Sequence, residues 1–340
     1  MILAGGLSTR LYPLTKQVPK PLVPIDGEPN AIHLIRYLRE YGIEDVAINV
    51  HYLAGMICQR LGDGSDYGIR LHYLHEPELL GSAGAVKQME PFFDDTFAVI
   101  GCDELTDMRL DRVIGFHRER GALATIALVH ADDVEHYGVV ILDEAGRIVE
   151  FQEKPRKGDE KSHLVNTGVY VFEPSIFARI PPGAFWDFGK NVFPELQRER
   201  AAFFGLEMEG AYWCDIGTPA EYRRATADVL AGRVKLPGNA RARGFPSDAS
   251  LGIGVRIEGN VRIGSQVSLG AHARIVGPSV VGDGVEVGEH AAIVNSIVWD
   301  GATIGAGATV SDSIVGLGYR VPAGALLSDA IVANEPPAAG

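Results

Sequence analysis

At 340 residues the chain exceeds one typical core, so two domains are expected, and 46% hydrophobic with 22% charged residues excludes a disordered chain. A net charge of −13 excludes nucleic acid and anionic membrane as partners of the whole molecule, while leaving room for a local basic pocket. Cys58, Cys102 and Cys214 show no metal-ligand spacing and no apolar run approaches ~18 residues, so no signal peptide or membrane span is expected and the predicted setting is cytoplasmic.

The first element is a short apolar strand, Ile2-Leu3-Ala4, feeding Gly5-Gly6, a Ser8-Thr9-Arg10 corner and a loop closed by Pro19-Lys20-Pro21. Glycines let successive N–H groups converge on an anion, and Arg10 and Lys20 are cations placed to close over it. Taken alone, a Gly-Gly turn with two cations is also what an ordinary β–α connection carries. The strand spans only Met1 to Ala4, against a usual ~5–6 residues, which predicts either an unusually short strand or a start further upstream.

The whole string, GGLSTRLYPLTKQVPKPLVP, resembles the signature of the sugar-phosphate nucleotidyltransferases, which join a nucleoside triphosphate to a sugar 1-phosphate and release pyrophosphate. The resemblance implies that Leu3, Ala4, Gly5, Gly6, Ser8, Thr9, Arg10 and Lys20 bind nucleotide, with Arg10 and Lys20 catalytic. Ser8 stands where the family commonly has Gly.

Downstream, strands and helices alternate. A helical stripe over 31–41 is stopped by Gly42, Val46–Val50 is an apolar strand, and 53–61 is helical again. The alternation predicts a Rossmann-like α/β fold, a mostly parallel sheet with helices on both faces and ligands at the carboxyl ends of its strands. The strand at 71–75 runs into Glu76-Pro77-Glu78-Leu79-Leu80-Gly81-Ser82, an ordinary turn unless read through the resemblance. The family's base-recognition loop then implies that Glu76, Gly81 and Ser82 meet the base. An acceptor-only carboxylate suits the N1–H and N2–H of guanine, although backbone groups could satisfy guanine or a pyrimidine.

Phe97–Ile100 is a buried strand delivering Asp103. A charged residue there is poorly explained as packing, and magnesium bridging triphosphate oxygens is the partner that would justify it. Cys102 precedes it where the family usually has Gly, bringing a side chain toward the ribose. Glu104 is expected to be exposed, with holding water on the metal as the alternative. Further on, Gly138 lies in a strand that a sugar ring could approach, and Glu153-Lys154-Pro155 ends another. An isolated Glu-Lys is more often a surface ion pair. Resemblance to the family's EKP motif instead implies that Glu153 binds sugar hydroxyls and Lys154 the sugar phosphate. Asn166 and Gly168 match its sugar-binding strand. Asp187 is read as the cap of the following helix. Trp213-Cys214-Asp215-Ile216-Gly217-Thr218-Pro219 matches the family's W-x-D-[IV]-G-T-P element, implying that Asp215 joins Asp103 in holding Mg2+; Thr218 is placed to cap the next helix.

After Gly232 the texture changes. Leu251, Ile257, Ile263, Leu269, Ile275, Val281, Val287 and Ile293 recur every six residues, the mark of a parallel β-helix with coils of ~18 residues. Beyond Ile293 the intervals run 6, 6 and 5, so later coils have one tightened corner, and the span holds between four and five coils. Its left-handed sense is implied by resemblance to hexapeptide-repeat proteins. His272 and His290 raise acyl transfer, but no long loop interrupts the repeats, and open β-helix ends favour assembly into a homo-oligomer. The expected layout is a catalytic domain over 1–232, a linker over 233–247, the left-handed parallel β-helix over 248–333 and a tail over 334–340. The expected substrates are a nucleoside triphosphate and a sugar 1-phosphate, GTP and mannose 1-phosphate first, with UTP or dTTP and glucose 1-phosphate, or a non-catalytic subunit binding nucleotide sugar, as alternatives.

Overall fold

The computed structural model describes residues 1–238 and 246–335, so that 239–245 of the expected linker and 336–340 of the expected tail lie outside the described residues. Two compact units form, Met1–Leu7 with Leu34–Asp215, and Ser8–His33 with Ile216–Gly340. Compactness thus cuts the chain differently from the contiguous layout expected above. Most of the signature segment and the helix after Asp215 group with the repeats.

The first unit is built on β1 (Ile2–Leu3). It continues through helix α1, which spans Asn30–Glu40 and so begins just before the unit resumes at Leu34, after the hairpin strands β2 (Pro24–Ile25) and β3 (Glu28–Pro29) of the second unit. Then come β4 (Asp45–Val50), α2 (Ala54–Leu61), β5 (Arg70–His75), α3 (Gly81–Gln88), β6 (Phe97–Gly101) and β7 (Glu104–Thr106). They are followed by α4 (Leu110–Glu119), β8 (Ala124–His130), β9 (Gly138–Leu142), β10 (Ile148–Glu153) and β11 (Leu164–Phe172). The unit closes with α5 (Phe193–Arg198), β12 (Phe203–Glu207) and β13 (Trp213–Asp215).

Nine strands make one sheet in the order β10-β9-β11-β6-β1-β4-β5, with β8 also beside β11 and β12 beside β8. The sheet is mixed. Strands β6, β1, β4 and β5 run parallel, whereas β11 lies antiparallel to β6, β8 and β9. β1 holds its central place with two residues because Ile2 and Leu3 pair on both sides, with Ile48 and Asn49 of β4 and with Ile100 and Gly101 of β6. Below the sheet lies a stack of aromatic rings, Phe97 on Phe177 at 5.5 Å and Phe172 on Phe188 at 4.9 Å, which fixes the segment before α5 against β11.

The second unit contains the β2–β3 hairpin, helix α6 (Pro219–Leu230) and the β-helix. Asp26 and Gly27 both have positive φ, 48° and 75°, the two-residue turn that matches strand twist. Thr218 caps α6 as expected, its hydroxyl accepting from the Glu221 N–H at 3.3 Å while donating to the Glu221 carboxylate at 3.0 Å. The repeats form three parallel sheets of five strands, hence five coils. Leu269, Val287, Ile304 and Val321 line one side of the interior, Ile275, Ile293 and Val310 the second, and Val281, Val298 and Val315 the third. In the first coil Leu251 is half exposed, and among the described residues no coil precedes it.

The tightened corner is visible in the register. Early coils advance by eighteen residues, as in Ile275 beneath Ile293, and later ones by seventeen, as in Val298 beneath Val315. Serines fill the shortened corners at Ser296 and Ser313, both fully buried, and Ser279 is buried at the same place in the coil before them. The Ser296 N–H donates to the Ser279 hydroxyl at 3.1 Å and the Ser313 N–H to the Ser296 hydroxyl at 3.0 Å, so a hydroxyl replaces the missing backbone partner. His272 and His290 stack at 5.0 Å in one corner column, both at positive φ, a placement that the coil geometry accounts for without chemistry.

Candidate functional site

β6 ends at Gly101, and three residues later β7 pairs antiparallel with β13, aligning Glu104 with Asp215, Leu105 with Cys214 and Thr106 with Trp213. The ladder therefore brings Asp215, from the end of the unit, to a position one residue away from that opposite Asp103. The backbones of two Asp residues distant in sequence are thereby set near one another beyond the carboxyl end of a central parallel strand. A Cβ on Gly101 would lie 2.8 Å from the Asp103 Oδ1, so glycine is what admits that carboxylate. Among the described residues there is no cluster of three or more His, Cys, Asp or Glu placed to hold a metal. A pair of carboxylates is nonetheless a donor set that fits Mg2+, which takes its remaining ligands from phosphate oxygens and water.

Glu104 is buried, 7% exposed, contrary to the expectation of an exposed side chain. Its carboxylate accepts the Trp213 indole N–H at 2.7 Å, and the same N–H reaches the Thr167 carbonyl at 2.9 Å. Gly168, at φ 74°, passes against this carboxylate so closely that any Cβ would clash. Glu104 and Trp213 thus lock the β7–β13 ladder onto β11. The signal for Trp213 was present in the W-x-D element, but its partner is 109 positions away and carries no local pattern.

On β11 the register shifts between Asn166 and Tyr170, and the Asn166 amide spans the irregularity. It donates to the Tyr170 hydroxyl at 3.0 Å and accepts the Gly168 N–H at 3.0 Å, so the side chain shapes the strand. One strand further out, across β9, lies the end of β10, where Glu153 pairs in register with Gly138. A Cβ on Gly138 would stand 2.6 Å from the Phe151 ring and 3.3 Å from the Glu153 Oε2. A Cβ on Gly189 would stand 2.7 Å from that same oxygen. Partial desolvation, and then Asp187, push the Glu153 carboxyl above the usual range, against the pull of Lys154 and Lys190. Lys154 follows at φ 48°, its side chain exposed and its N–H donating to the Tyr137 carbonyl at 3.1 Å.

Just past the carboxyl end of β5, Glu76 is 4% exposed. One carboxylate oxygen accepts the Asn49 amide at 2.6 Å and the other the Leu80 N–H at 3.2 Å. Asn49 in turn accepts the Ala4 N–H at 2.8 Å, and a Cβ on Gly5 would lie 2.7 Å from the Asn49 amide nitrogen and 2.8 Å from the Glu76 Oε2. Glu76 and Asn49 therefore hold the start of the glycine turn, a role for Asn49 that sequence reasoning missed. Ser82 is also committed, donating to Asp187 at 2.8 Å and accepting the Phe188 N–H at 2.9 Å. The Trp186 carbonyl accepts from the Ala83 and Gly84 N–H groups at 2.9 and 3.0 Å, covering the first turn of α3. Asp187 caps the next helical turn through the Lys190 N–H at 3.2 Å, as expected.

Within the second unit, Ser8 takes the left-handed conformation, φ 55° and ψ 40°, which explains why glycine suits that position. Its carbonyl accepts the Thr15 hydroxyl at 2.7 Å. Thr9 and Arg10 are exposed on a single 3-10 turn, Thr9–Leu11, while Lys20 lies on a second, Lys20–Leu22, and is 7% exposed. Cys102 is buried with its N–H on the Leu3 carbonyl at 3.0 Å.

Residues 1–232 match the nucleotidyl transferase family, and 257–336 match the GMPPB C-terminal domain. The chain belongs to the nucleotidyl transferase family. It is 37% identical over 284 residues to the UTP–glucose-1-phosphate uridylyltransferase of Synechocystis, covering 78% of this chain and 73% of that one. It is 34% identical over 245 residues to the mannose-1-phosphate guanylyltransferase of Mycobacterium tuberculosis, covering 72% and 68%. A solved structure described as a glucose-1-phosphate thymidylyltransferase from Bacillus anthracis superposes with a TM-score of 0.60 at 28% identity, over 66% of this chain and 92% of that one. No described helix is long and apolar enough to cross a membrane.

Proposed function

We propose that this nucleotidyl transferase moves a nucleotidyl group from a nucleoside triphosphate to a sugar 1-phosphate, GTP and mannose 1-phosphate being the pair. The observation that carries the reading is the β7–β13 ladder, which aligns Asp215 with Glu104 beside Asp103. Asp103 and Asp215 would hold Mg2+, and the ion, when bound, neutralises triphosphate charge. Arg10 and Lys20 bind the triphosphate, Lys154 the incoming phosphate, and Glu153 the sugar hydroxyls, with Asn166 shaping the strand beside them. An oxygen of the sugar phosphate attacks the α-phosphorus in line. The bond to the bridging oxygen breaks, and its electron pair leaves with pyrophosphate. No covalent intermediate with the protein is required, so catalysis consists of positioning and charge stabilisation.

The GMPPB C-terminal domain match and the mycobacterial relative support guanine and mannose. A second reading, UTP with glucose 1-phosphate, is favoured by Glu76, whose two oxygens are already engaged by Asn49 and Leu80, and by the Synechocystis relative. Pyrophosphate release with Mg2+ across four triphosphates and several sugar 1-phosphates tests both. Highest kcat/KM for GTP with mannose 1-phosphate supports the first and for UTP with glucose 1-phosphate the second, while no release with any pair supports a non-catalytic nucleotide-sugar-binding subunit. The β-helix is proposed to join copies of the chain in the cytoplasm, and a monomer by sedimentation equilibrium at micromolar concentration would defeat that.

A further inference from the structure

The β-helix holds more than itself. The hairpin β2–β3 begins four residues after Lys20, and its anchors lie on the repeats and on α6. The Tyr222 hydroxyl, fully buried on α6, donates to the Pro24 carbonyl at 2.7 Å and accepts the Trp299 indole N–H at 3.0 Å. Trp299 follows the inward Val298 of the third coil and is 3% exposed, a large side chain pointing out of a β-helix yet out of water. On the other side of the hairpin, the Arg262 side chain, 13% exposed, reaches Asp26 at 3.4 Å, and its guanidinium occupies the space a Cβ on Gly27 would need. His33 adds a third hold, its Nε2–H donating to the Ile25 carbonyl at 2.9 Å.

The segment between these anchors and Lys20 is stiff. Pro19, Pro21 and Pro24 each fix φ, the Leu22 N–H donates to the Pro19 carbonyl at 2.8 Å, and the Val23 N–H donates to the Lys20 carbonyl at 3.1 Å. A displacement of the Pro24 carbonyl is therefore carried to the Lys20 backbone instead of being absorbed between them. We propose that Trp299 and Arg262 are positioning residues of the β-helix, acting through Tyr222 and the hairpin to hold the Lys20 turn for the triphosphate. The assignment of Lys20 to the triphosphate rests on the function proposed above; the anchoring of the hairpin does not.

The test uses the full chain with Tyr222→Phe, Trp299→Phe, Arg262→Lys and Arg262→Met, with MgGTP and mannose 1-phosphate as probes. Tyr222→Phe removes the shared hydroxyl and leaves ring packing in place, so kcat/KM for GTP should fall about tenfold, the upper range for one hydrogen bond. KM for mannose 1-phosphate at saturating GTP should stay within about twofold. Arg262→Met should show the same split and Arg262→Lys should restore part of it. Equal losses for both substrates, or a lowered melting temperature with unchanged kcat/KM for GTP, would overturn the assignment. Hydrogen exchange separates this from the substrate reading. If the wild-type chain releases no pyrophosphate with any pair, faster exchange confined to residues 20–30 in Tyr222→Phe and Arg262→Met still establishes the anchoring, and unchanged exchange there refutes it.

Discussion

Ser8 shows how one side chain can be tolerated at a position built for none. An L-residue in the left-handed region costs roughly 1–2 kcal/mol, and glycine's extra unfolded-state freedom returns roughly 0.5–1 kcal/mol. Ser8→Gly should therefore stabilise the fold by up to about 1.5 kcal/mol in urea melts. A destabilised variant would mean that the Ser8 side chain contributes more than its strain. The charged residues of the candidate site act the other way. Arg10→Ala, Lys20→Ala or Asp103→Asn should each cost at least ~2.7 kcal/mol of transition-state stabilisation, about a hundredfold in kcat, if each is a preorganised electrostatic group. Near-normal turnover removes that residue from the mechanism. Most of these side chains were legible because the signature string is continuous. Asn49 and Glu104 were not, since each earns its burial through a partner 27 or 109 positions away.

At the level of elements, the sequence read direction poorly. Apolar runs predict that a strand is buried, not which way it points, and β11 reads like its parallel neighbours although it runs against β6. The hexapeptide region was far more legible, because each coil repeats one inward aliphatic and the slip to five residues marks a real corner, filled by Ser296 and Ser313. Packing between elements yields two predictions. Gly189→Ala would press a methyl on the Glu153 carboxylate, so KM for the sugar 1-phosphate should rise severalfold while KM for the triphosphate holds; equal changes would dissociate Glu153 from the sugar. His117, fully buried on α4, contacts the Thr125 hydroxyl at 2.8 Å and Glu173 at 3.1 Å, and desolvation sets its pKa below the ordinary value despite Glu173. The unfolded chain therefore takes up this proton first as pH falls. The stability contributed by neutral His117 is present above about pH 6.5, declines as pH drops from there toward the lower folded value, and then levels off. His117→Gln should flatten that part of a melting-temperature profile, and an unchanged slope would assign it to other groups.

For the whole molecule, the decisive fact is that the chain crosses between its compact units after Leu7, after His33 and after Asp215. A protein of two beads on a string can lose one and keep the other, but interleaved units share segments, and Ser8–His33 belongs with the repeats by compactness and with the transferase by sequence match. A chain ending at Gly232 keeps all residues of that match while removing Arg262 and Trp299, so Asp26 loses its ion pair and Tyr222 loses its indole donor. Loss of the Trp299 donor to Tyr222 costs ~0.5–1.5 kcal/mol, and the burial lost by Tyr222 and the hairpin adds ~1.5–3 kcal/mol for each large apolar side chain uncovered. That is a large share of the ~5–15 kcal/mol by which a typical domain is stable. The shortened chain should melt well below the full one and lose triphosphate use more than its melting temperature alone explains. Assaying it far below its own melting point separates the two effects. Full kcat and KM there would make the β-helix a separate module, whereas a selective rise in KM for the triphosphate would make it part of the catalytic scaffold.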